Sequence, residues 1–354
     1  MRALQDPVPA EFGRRTTHRH AIVLVTGAGG YIGSALAKAV AAAGPARLLL
    51  LDSSENNLFG IHRYLEEAHA GVPHEAILGS VADAGLMSAI FSRFRPRIVY
   101  HAAALKHVSL LELNPFAAVH NNAMGTYTLA QAAIQYGAAT LVLVSTDKAV
   151  NPHSIMGASK RIAELTVAAL SGPQCRMNAV RLGNVIGSTG SVVPIFLAQI
   201  SRGGPVTVTD LDASRYFMTL EAAVAAIVSA GAAECSGGIL LPQLGEPERI
   251  ADLARFLISK AGDGSPEIPI RFIGLRPGEK LTEDLIFQTE VREGFASGGL
   301  QVIRTLSPTP AELCARMEQL AGSLAGGDLA GLVETVRAMV PEYQPSSAVG
   351  SSRT

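Results

Sequence analysis

Residues 145–160, STDKAVNPHSIMGASK, set two hydroxyls, a carboxylate and an amine beside each other and a second amine a short way on. Asp147 and Lys148 are adjacent, so a site that holds both can remove a proton with one and deliver one with the other. Met156 and Lys160 are four residues apart, the spacing that puts two side chains on one helix face. Lys160 can reach a ligand from there, whereas Met156 can exchange no proton. A second group lies upstream in TGAGGYIGS, residues 26–34, where Gly27, Gly30 and Gly33 recur every three residues. Glycines so placed allow a tight turn and close approach of the backbone to a phosphate, which the N-terminus of a helix starting near Tyr31 would attract. Asp52 closes the next apolar run, where a carboxylate can accept from both ribose hydroxyls. That carboxylate repels a 2′-phosphate, and Ser53-Ser54 bring no arginine to hold one, so the pattern selects NAD over NADP.

These groups need a frame, and the chain supplies one from Ala21 onward. The short apolar runs AIVLVT, RLLLLD, EAILG, RIVYHAA and TLVLVST alternate with longer segments of helical composition, and MNAVRL follows a helix that starts near Ser154. Near-continuous apolar strands separated by helices are βαβ units of a parallel sheet buried on both faces. The expected fold is therefore α/β, a Rossmann-like doubly wound sheet, in which ligands bind beyond the carboxyl ends of the strands. Both groups of chemical residues fall at such ends. In an extended strand Asp147 and Lys148 would point to opposite faces, so the chain must turn there, and Asn151-Pro152 favours it.

Past Gly183 the alternation gives way to GNVIGSTGS, SRGGPVTVTD and LRPGEKLTEDL. The expected division is a tail over 1–20, with His18 and His20 solvated, then a dinucleotide-binding domain over 21–183. A smaller, mainly substrate-binding domain over 184–345 returns a strand to the sheet, and a Ser-rich disordered tail occupies 346–354.

Composition narrows the function classes. With 354 residues, 48% of them hydrophobic, the chain can bury a large core. A net charge of −1 offers no electrostatic footprint for nucleic acid or an anionic membrane. Apolar stretches such as Ala222 to Ala233 fall short of the roughly 20 residues of a spanning helix. The N-terminus shows no signal-peptide pattern. Three cysteines without CxxC spacing fit reduced thiols, and the expected location is the cytoplasm.

Ser145, Met156 and Lys160 fall where a short-chain dehydrogenase carries Ser, Tyr and Lys, and none of the seven tyrosines has a lysine four residues later. VSTDKAVNPHSIMGASKR resembles the bacterial polysaccharide-biosynthesis nucleotide-sugar 4,6-dehydratases. The likeness is to the UDP-N-acetylglucosamine 4,6-dehydratase branch of the extended short-chain dehydrogenase/reductase superfamily, which has Ser-Met-Lys. HAAALKHVSLLELNP (101–115), RLGNVIGSTGSVVPIF (181–196), GGPVTVT (203–209), RYFMT (215–219) and GLRPGEKL (274–281) are similar to that family's other blocks, in the same order. Many of those relatives carry an N-terminal membrane region, and this chain resembles the short soluble form. Ser109 and Ser80 stand where many relatives have Pro and Asp, and LPQLGEPE (241–248) also departs from the family pattern.

The resemblance implies a reaction. NAD⁺ takes hydride from sugar C4, a base removes the C5 proton, an acid expels the C6 hydroxyl as water, and hydride returns to C6. It implies Asp147 as the acid and Lys148 as the base, both with pKa values moved toward neutrality. Thr146 would bond the C4 hydroxyl, Lys160 the nicotinamide ribose, and Met156 would pack beside the sugar. Gly27, Gly30, Tyr31, Ile32, Gly33, Asp52, Ser53, Ser80, Val81, Ala102, Ala103 and Ala104, with Lys160, would hold NAD. Lys106, His107, Asn184, Arg215, Arg276 and Glu279 would hold a UDP-sugar, since arginine forks suit a diphosphate. Lys148, directly or through water, is the simplest base for the C4 hydroxyl. Retention or inversion at C5 stays open, and the resemblance implies a homo-oligomer. A nucleotide-sugar 4-epimerase shares the hydride removal but relies on the missing tyrosine, and a non-catalytic NAD-binding protein needs no Asp-Lys pair.

Overall fold

The computed structural model describes residues 18–261 and 268–349. Its first half forms β1 (Ile22–Thr26), β2 (Arg47–Asp52), β3 (His74–Leu78), β4 (Ile98–His101), β5 (Thr140–Thr146) and β6 (Arg176–Leu182). They pair in parallel in the order β3-β2-β1-β4-β5-β6. The winding reverses between β1 and β4, which opens a crevice at their carboxyl ends. Alternate residues of one strand serve opposite cores. Val23, Val25, Leu48 and Leu50 pack on one face, while Leu24, Leu49 and Leu51 pack on the other.

The second half is tied to this sheet more fully than a single returned strand. Ile239–Leu241 pairs in parallel with β6, Gln301–Arg304 pairs antiparallel to it, and Val291–Phe295 pairs antiparallel to that strand at the edge. Outside the sheet, Val206–Val208 pairs with Ile270–Phe272 and Ser214–Arg215 with Glu248–Arg249. A separate core containing Phe196, Val206, Phe217 and Ala254 supports them.

Helix Ile155–Leu170 starts where Ser154 Oγ accepts from the Gly157 N–H at 3.1 Å. It is buried on nearly all sides, because the π-helical turn Val119–Met124 and helices Pro310–Gly326 and Leu329–Met339 cover it. Gly157 lets the helix lie against the turn after β5, since a Cβ there would collide with the Lys148 carbonyl oxygen.

Both expected tails are corrected where the structure describes them. His18 is 3% exposed, its Nε2 sits 2.6 Å from Tyr100 Oη, and Arg19 bridges to Pro45. Near the other end Gln344 N–H donates to the Pro152 carbonyl at 3.0 Å and Ser346 Oγ donates to Glu112. His20 is exposed, as expected, and residues 1–17 and 350–354 lie outside the described residues.

Four charged side chains are buried together behind β5. Arg181 Nη2 donates to Glu164 Oε2 at 2.8 Å and Arg181 Nη1 to Glu290 Oε2 at 2.8 Å. Arg161 Nη1 reaches both carboxylates, at 3.1 and 2.8 Å. Removing one partner from such a cluster leaves a charge stranded in low dielectric. Arg181→Leu should therefore lose about 3–5 kcal/mol of unfolding free energy. Urea denaturation followed by circular dichroism checks this, and a loss below about 1 kcal/mol would contradict it.

Candidate active site

Residues that follow β1, β4, β5 and β6, together with the 276–283 segment, line a cleft of about 590 Å³. Its nucleotide side rests on the glycine turn. Gly27 has φ +65°, and a Cβ there would sit 2.6 Å from the Ala103 nitrogen. A Cβ on Gly33 would collide with the Gly27 carbonyl oxygen. Helix Tyr31–Ala42 begins after Gly30 with no side-chain cap, so its first N–H groups can meet an anion. Asp52 Oδ2 accepts from Gly29 N–H at 2.9 Å and Asp52 Oδ1 from Ser54 N–H at 2.8 Å. The acid therefore holds the glycine turn as well as offering oxygens to a ribose. Gly29, which the sequence reading passed over, sits tight against Asn57.

Tyr31 Oη donates to the Ile186 carbonyl at 2.8 Å, joining the glycine turn to the GNVIGSTGS loop. Gly30, Tyr31, Ile32, Gly33, Ala102 and Ala104 line the cleft. Gly27 and Ala103 pack behind it. Asp52, Ser53, Ser80 and Val81 lie outside its lining, at and beyond the carboxyl ends of β2 and β3.

A chain of polar groups that the sequence reading missed holds the loop after β4. Thr126 Oγ1 donates to the Asn122 carbonyl at 2.6 Å, so it accepts from His101 Nε2 at 3.0 Å, and His101 Nδ1 then accepts from Thr26 Oγ1 at 2.7 Å. Burial, and secondarily the Lys160 charge, push the His101 pKa down to about 3, so the ring is neutral. Asn122 clamps Leu105 through both backbone groups, at 2.9 and 3.0 Å.

At the end of β5 the chain makes the turn that the sequence requires. Asp147–Ala149 is a single 3₁₀ turn, and Asn151 follows at φ +43°, with its Nδ2 donating to Asp284 Oδ2 at 2.9 Å. Two donors thereby meet on one oxygen. Thr146 Oγ1 and Lys148 Nζ both donate to Asp147 Oδ1, at 3.0 and 2.8 Å. Lys148 Nζ also donates to Asn184 Oδ1 at 2.9 Å and lies 3.7 Å from Glu283 Oε1. Asp147 has a wholly buried side chain and does not line the cleft, while Lys148, 23% exposed, does.

The electrostatics correct one expectation. Burial alone would lower the Lys148 pKa, but the Asp147 and Glu283 carboxylates outweigh it and raise the pKa above the ordinary lysine value. Lys148 is an ammonium in the free protein, not an amine near neutrality. Lys160 goes the other way: burial, only partly offset by Glu164, lowers its pKa to about 8. Its Nζ donates to the Val144 carbonyl at 2.8 Å. Ser145 Oγ donates to Glu164 Oε1 at 2.7 Å, so Thr146 carries the hydroxyl that joins Asp147 at the strand end. Met156 is buried and lines the cleft beside Lys148 and Lys160.

Lys106, His107, Asn184, Arg215, Arg276 and Glu279 all line the same cleft. Burial lowers the pKa of Lys106, and burial plus Lys106 lowers that of His107. Arg215 donates to the Leu281 and Lys280 carbonyls at 3.0 and 2.8 Å, and Glu279 Oε2 accepts from Arg276 N–H at 3.1 Å. Those two side chains brace the loop, and the Arg276 side chain is exposed at the rim. Glu283 also lines the cleft and was missed. Its only signal in the sequence is an acid three residues after Lys280 in a segment that reads as loop.

A family model described as polysaccharide biosynthesis protein matches residues 23–304. The capsular polysaccharide biosynthesis protein CapD of Staphylococcus aureus is 41% identical over 81% of this chain and 49% of its own length. An inverting UDP-N-acetylglucosamine 4,6-dehydratase of Campylobacter jejuni is 37% identical, and a UDP-glucose 4-epimerase of Rickettsia canadensis 38% identical. Each of these two matches covers 53% of this chain and 55% of the relative. The chain thus spans about half the length of these curated relatives, and identity does not separate dehydratase from epimerase. Among solved structures, Pen from Bacillus thuringiensis is 29% identical with a TM-score of 0.73, covering 83% of this chain and 88% of that one. A Thermus thermophilus UDP-glucose 4-epimerase in complex with NAD is 25% identical with a TM-score of 0.62, over 75% and 90%.

The two cleft lysines should titrate far apart. In NMR of isotope-labelled lysine side chains, the signal lost in Lys160→Met should have its midpoint at about 8, and that lost in Lys148→Met should stay charged beyond 10.5. Folding lowers the proton affinity of Lys160, so its burial costs stability below about pH 8, and the cost fades as pH rises from 8 toward 10.5. Coincident midpoints for the two signals would contradict this assignment.

Proposed function

The chain belongs to the polysaccharide biosynthesis protein family, and we propose that it is an NAD-dependent nucleotide-sugar 4,6-dehydratase with UDP-N-acetylglucosamine as its substrate. The observation that carries this reading is the shared oxygen of Asp147, which binds the Thr146 hydroxyl and the Lys148 ammonium beside a methionine. The glycine cradle that a Cβ would fill, the helix start without a side-chain cap and Asp52 fit an NAD pyrophosphate and ribose. When bound, NAD supplies the hydride acceptor for sugar C4 and the donor for C6.

The chain's own residues then handle protons. Thr146 hydrogen-bonds the C4 hydroxyl, whose proton leaves by way of Lys148 to solvent as C4 is oxidised, and Lys160, with its pKa lowered to about 8, holds the nicotinamide ribose. Lys148 must shed a proton to a neighbouring carboxylate before it can act as a base, and expulsion of water by the sugar favours the uncharged pair. The amine removes the C5 proton, which the adjacent ketone has made acidic. The proton that Lys148 sheds passes to Asp147, its hydrogen-bonded neighbour at 2.8 Å, and leaves with the departing C6 oxygen as water. Lys106 and Arg276 bring cationic charge for the diphosphate.

A 4-epimerase needs one proton acceptor at C4 and gives an acid-base set at C5 and C6 nothing to do. The Met156 side chain also removes the tyrosine such chemistry relies on. NMR of the purified protein with NAD and UDP-N-acetylglucosamine in deuterated water tests the reading. It should give a 4-keto-6-deoxy sugar bearing deuterium at C5, and Lys148→Ala should be at least about a hundredfold slower. A C4 epimer without loss of water would overturn it.

A further inference from the structure

The connection between Lys148 and Met156 is held from two sides. On one side Lys280 Nζ donates to the Val150 carbonyl at 3.0 Å and Asn151 donates to Asp284. On the other lies a stretch well past residue 304, where the family match ends. There Gln344 N–H donates to the Pro152 carbonyl at 3.0 Å, Glu342 Oε1 accepts from Arg161 Nε at 3.1 Å, and Ser346 Oγ donates to Glu112 Oε2. Tyr343 is buried in the same core as Ile155, Met156 and Ile162. Glu112, 1% exposed, gathers these contacts. Its Oε1 accepts at 2.7 Å from Ile155 N–H, the first of its helix and one with no intrahelical acceptor. Gly278 of the cleft wall, at φ +78°, packs against it so closely that a Cβ there would lie 3.1 Å from Glu112 Cδ.

We propose that residues 342–346 are a strap that sets the first turn of helix Ile155–Leu170 against Lys148, with Glu112 as the positioning residue through which it acts. The assignment rests on the dehydratase reading. Lys148 is fixed from its own turn by Asp147 and Asn184. A helix moves as a unit, so the bond at Ile155 decides where Met156 and, one turn on, Lys160 enter the cleft. The reacting groups sit on both sides of the 150–155 connection, and a misplacement of about 1 Å slows such a step about a hundredfold. Ser346 matters because it satisfies the second oxygen of a buried carboxylate. Without that donor the oxygen is stranded, and the carboxylate relieves the cost by turning away from Ile155 N–H. Glu112 therefore acts through the helix and not on the sugar.

Ser346→Ala removes the strap's bond to Glu112 and leaves every cleft residue in the chain. With NAD and UDP-N-acetylglucosamine, kcat for the 4-keto-6-deoxy sugar should fall about tenfold, while KM stays within about threefold of wild type. Glu112→Ala should lose more. Glu112→Gln should recover most of that loss, since its amide oxygen can accept from Ile155 and its amide nitrogen can donate to Ser346. In NMR of isotope-labelled methionine methyl groups, the signal lost in Met156→Leu should shift in Ser346→Ala. Turnover by Ser346→Ala within about threefold of wild type overturns the strap and leaves the dehydratase reading standing. So does an unmoved Met156 signal, or a kcat that falls only in proportion to the folded fraction seen by circular dichroism. A wild type that forms no keto sugar sinks the dehydratase reading, and the methyl shift alone then decides whether the strap positions the helix.

Discussion

The turn at the end of β5 is the constraint on which the cleft depends. A strand sends successive side chains to opposite faces, yet Thr146 and Lys148 have to meet one oxygen of the residue between them. The 3₁₀ turn of Asp147–Ala149 achieves this, and several features elsewhere accommodate it. Gly157 lets the following helix press against the Lys148 carbonyl. Asn151 takes a left-handed conformation that is costly for a residue with a side chain, and Asp284 holds it there. Glu112 Oε1 accepts from Ile155 N–H at 2.7 Å and Ser346 bonds its other oxygen, so the start of that helix is fixed from two directions.

Charge placement then divides the work between two lysines. Lys148 lies between carboxylates and stays an ammonium until something displaces the balance. Lys160 is buried with only Glu164 to offset the burial, which lowers its pKa to about 8. The difference comes from neighbours rather than from exposure, since burial alone would lower both. Behind them the cluster of Arg161, Glu164, Arg181 and Glu290 ties β6, the central helix and the 285–290 segment into one unit. Ser145 lines the cleft but spends its hydroxyl proton on that cluster, so of the two adjacent hydroxyls of β5 only that of Thr146 bonds Asp147.

Much of this was legible in the chain because it follows from local pattern. Six apolar runs separated by helical segments suffice for the parallel half of the sheet, and the glycine spacing with Asp52 suffices for its nucleotide end. The adjacency of Asp147 and Lys148 and the prolyl turn after them foretold a bend. The rest depended on contacts between distant segments. No local signal says that Glu283 would come to lie beside Lys148, or that Asn122 would grip Leu105. The strands Gln301–Arg304 and Val291–Phe295 follow long irregular connections, so their return to the sheet was invisible to periodicity. The sign of the Lys148 shift was misjudged for the same reason: burial could be guessed from sequence, and the second carboxylate could not.

The fate of the hydrogen on C4 tests the account most directly. UDP-N-acetylglucosamine carrying deuterium at C4, incubated in ordinary water with the protein and NAD, should yield a product whose deuterium sits in the C6 methyl group. That result requires oxidation at C4, loss of water across C5 and C6, and return of the same hydride at the far carbon, all in one closed site. Deuterium found back at C4, in a sugar that has kept its C6 hydroxyl, would contradict the account and make the Thr146–Asp147–Lys148 cluster the machinery of an epimerase.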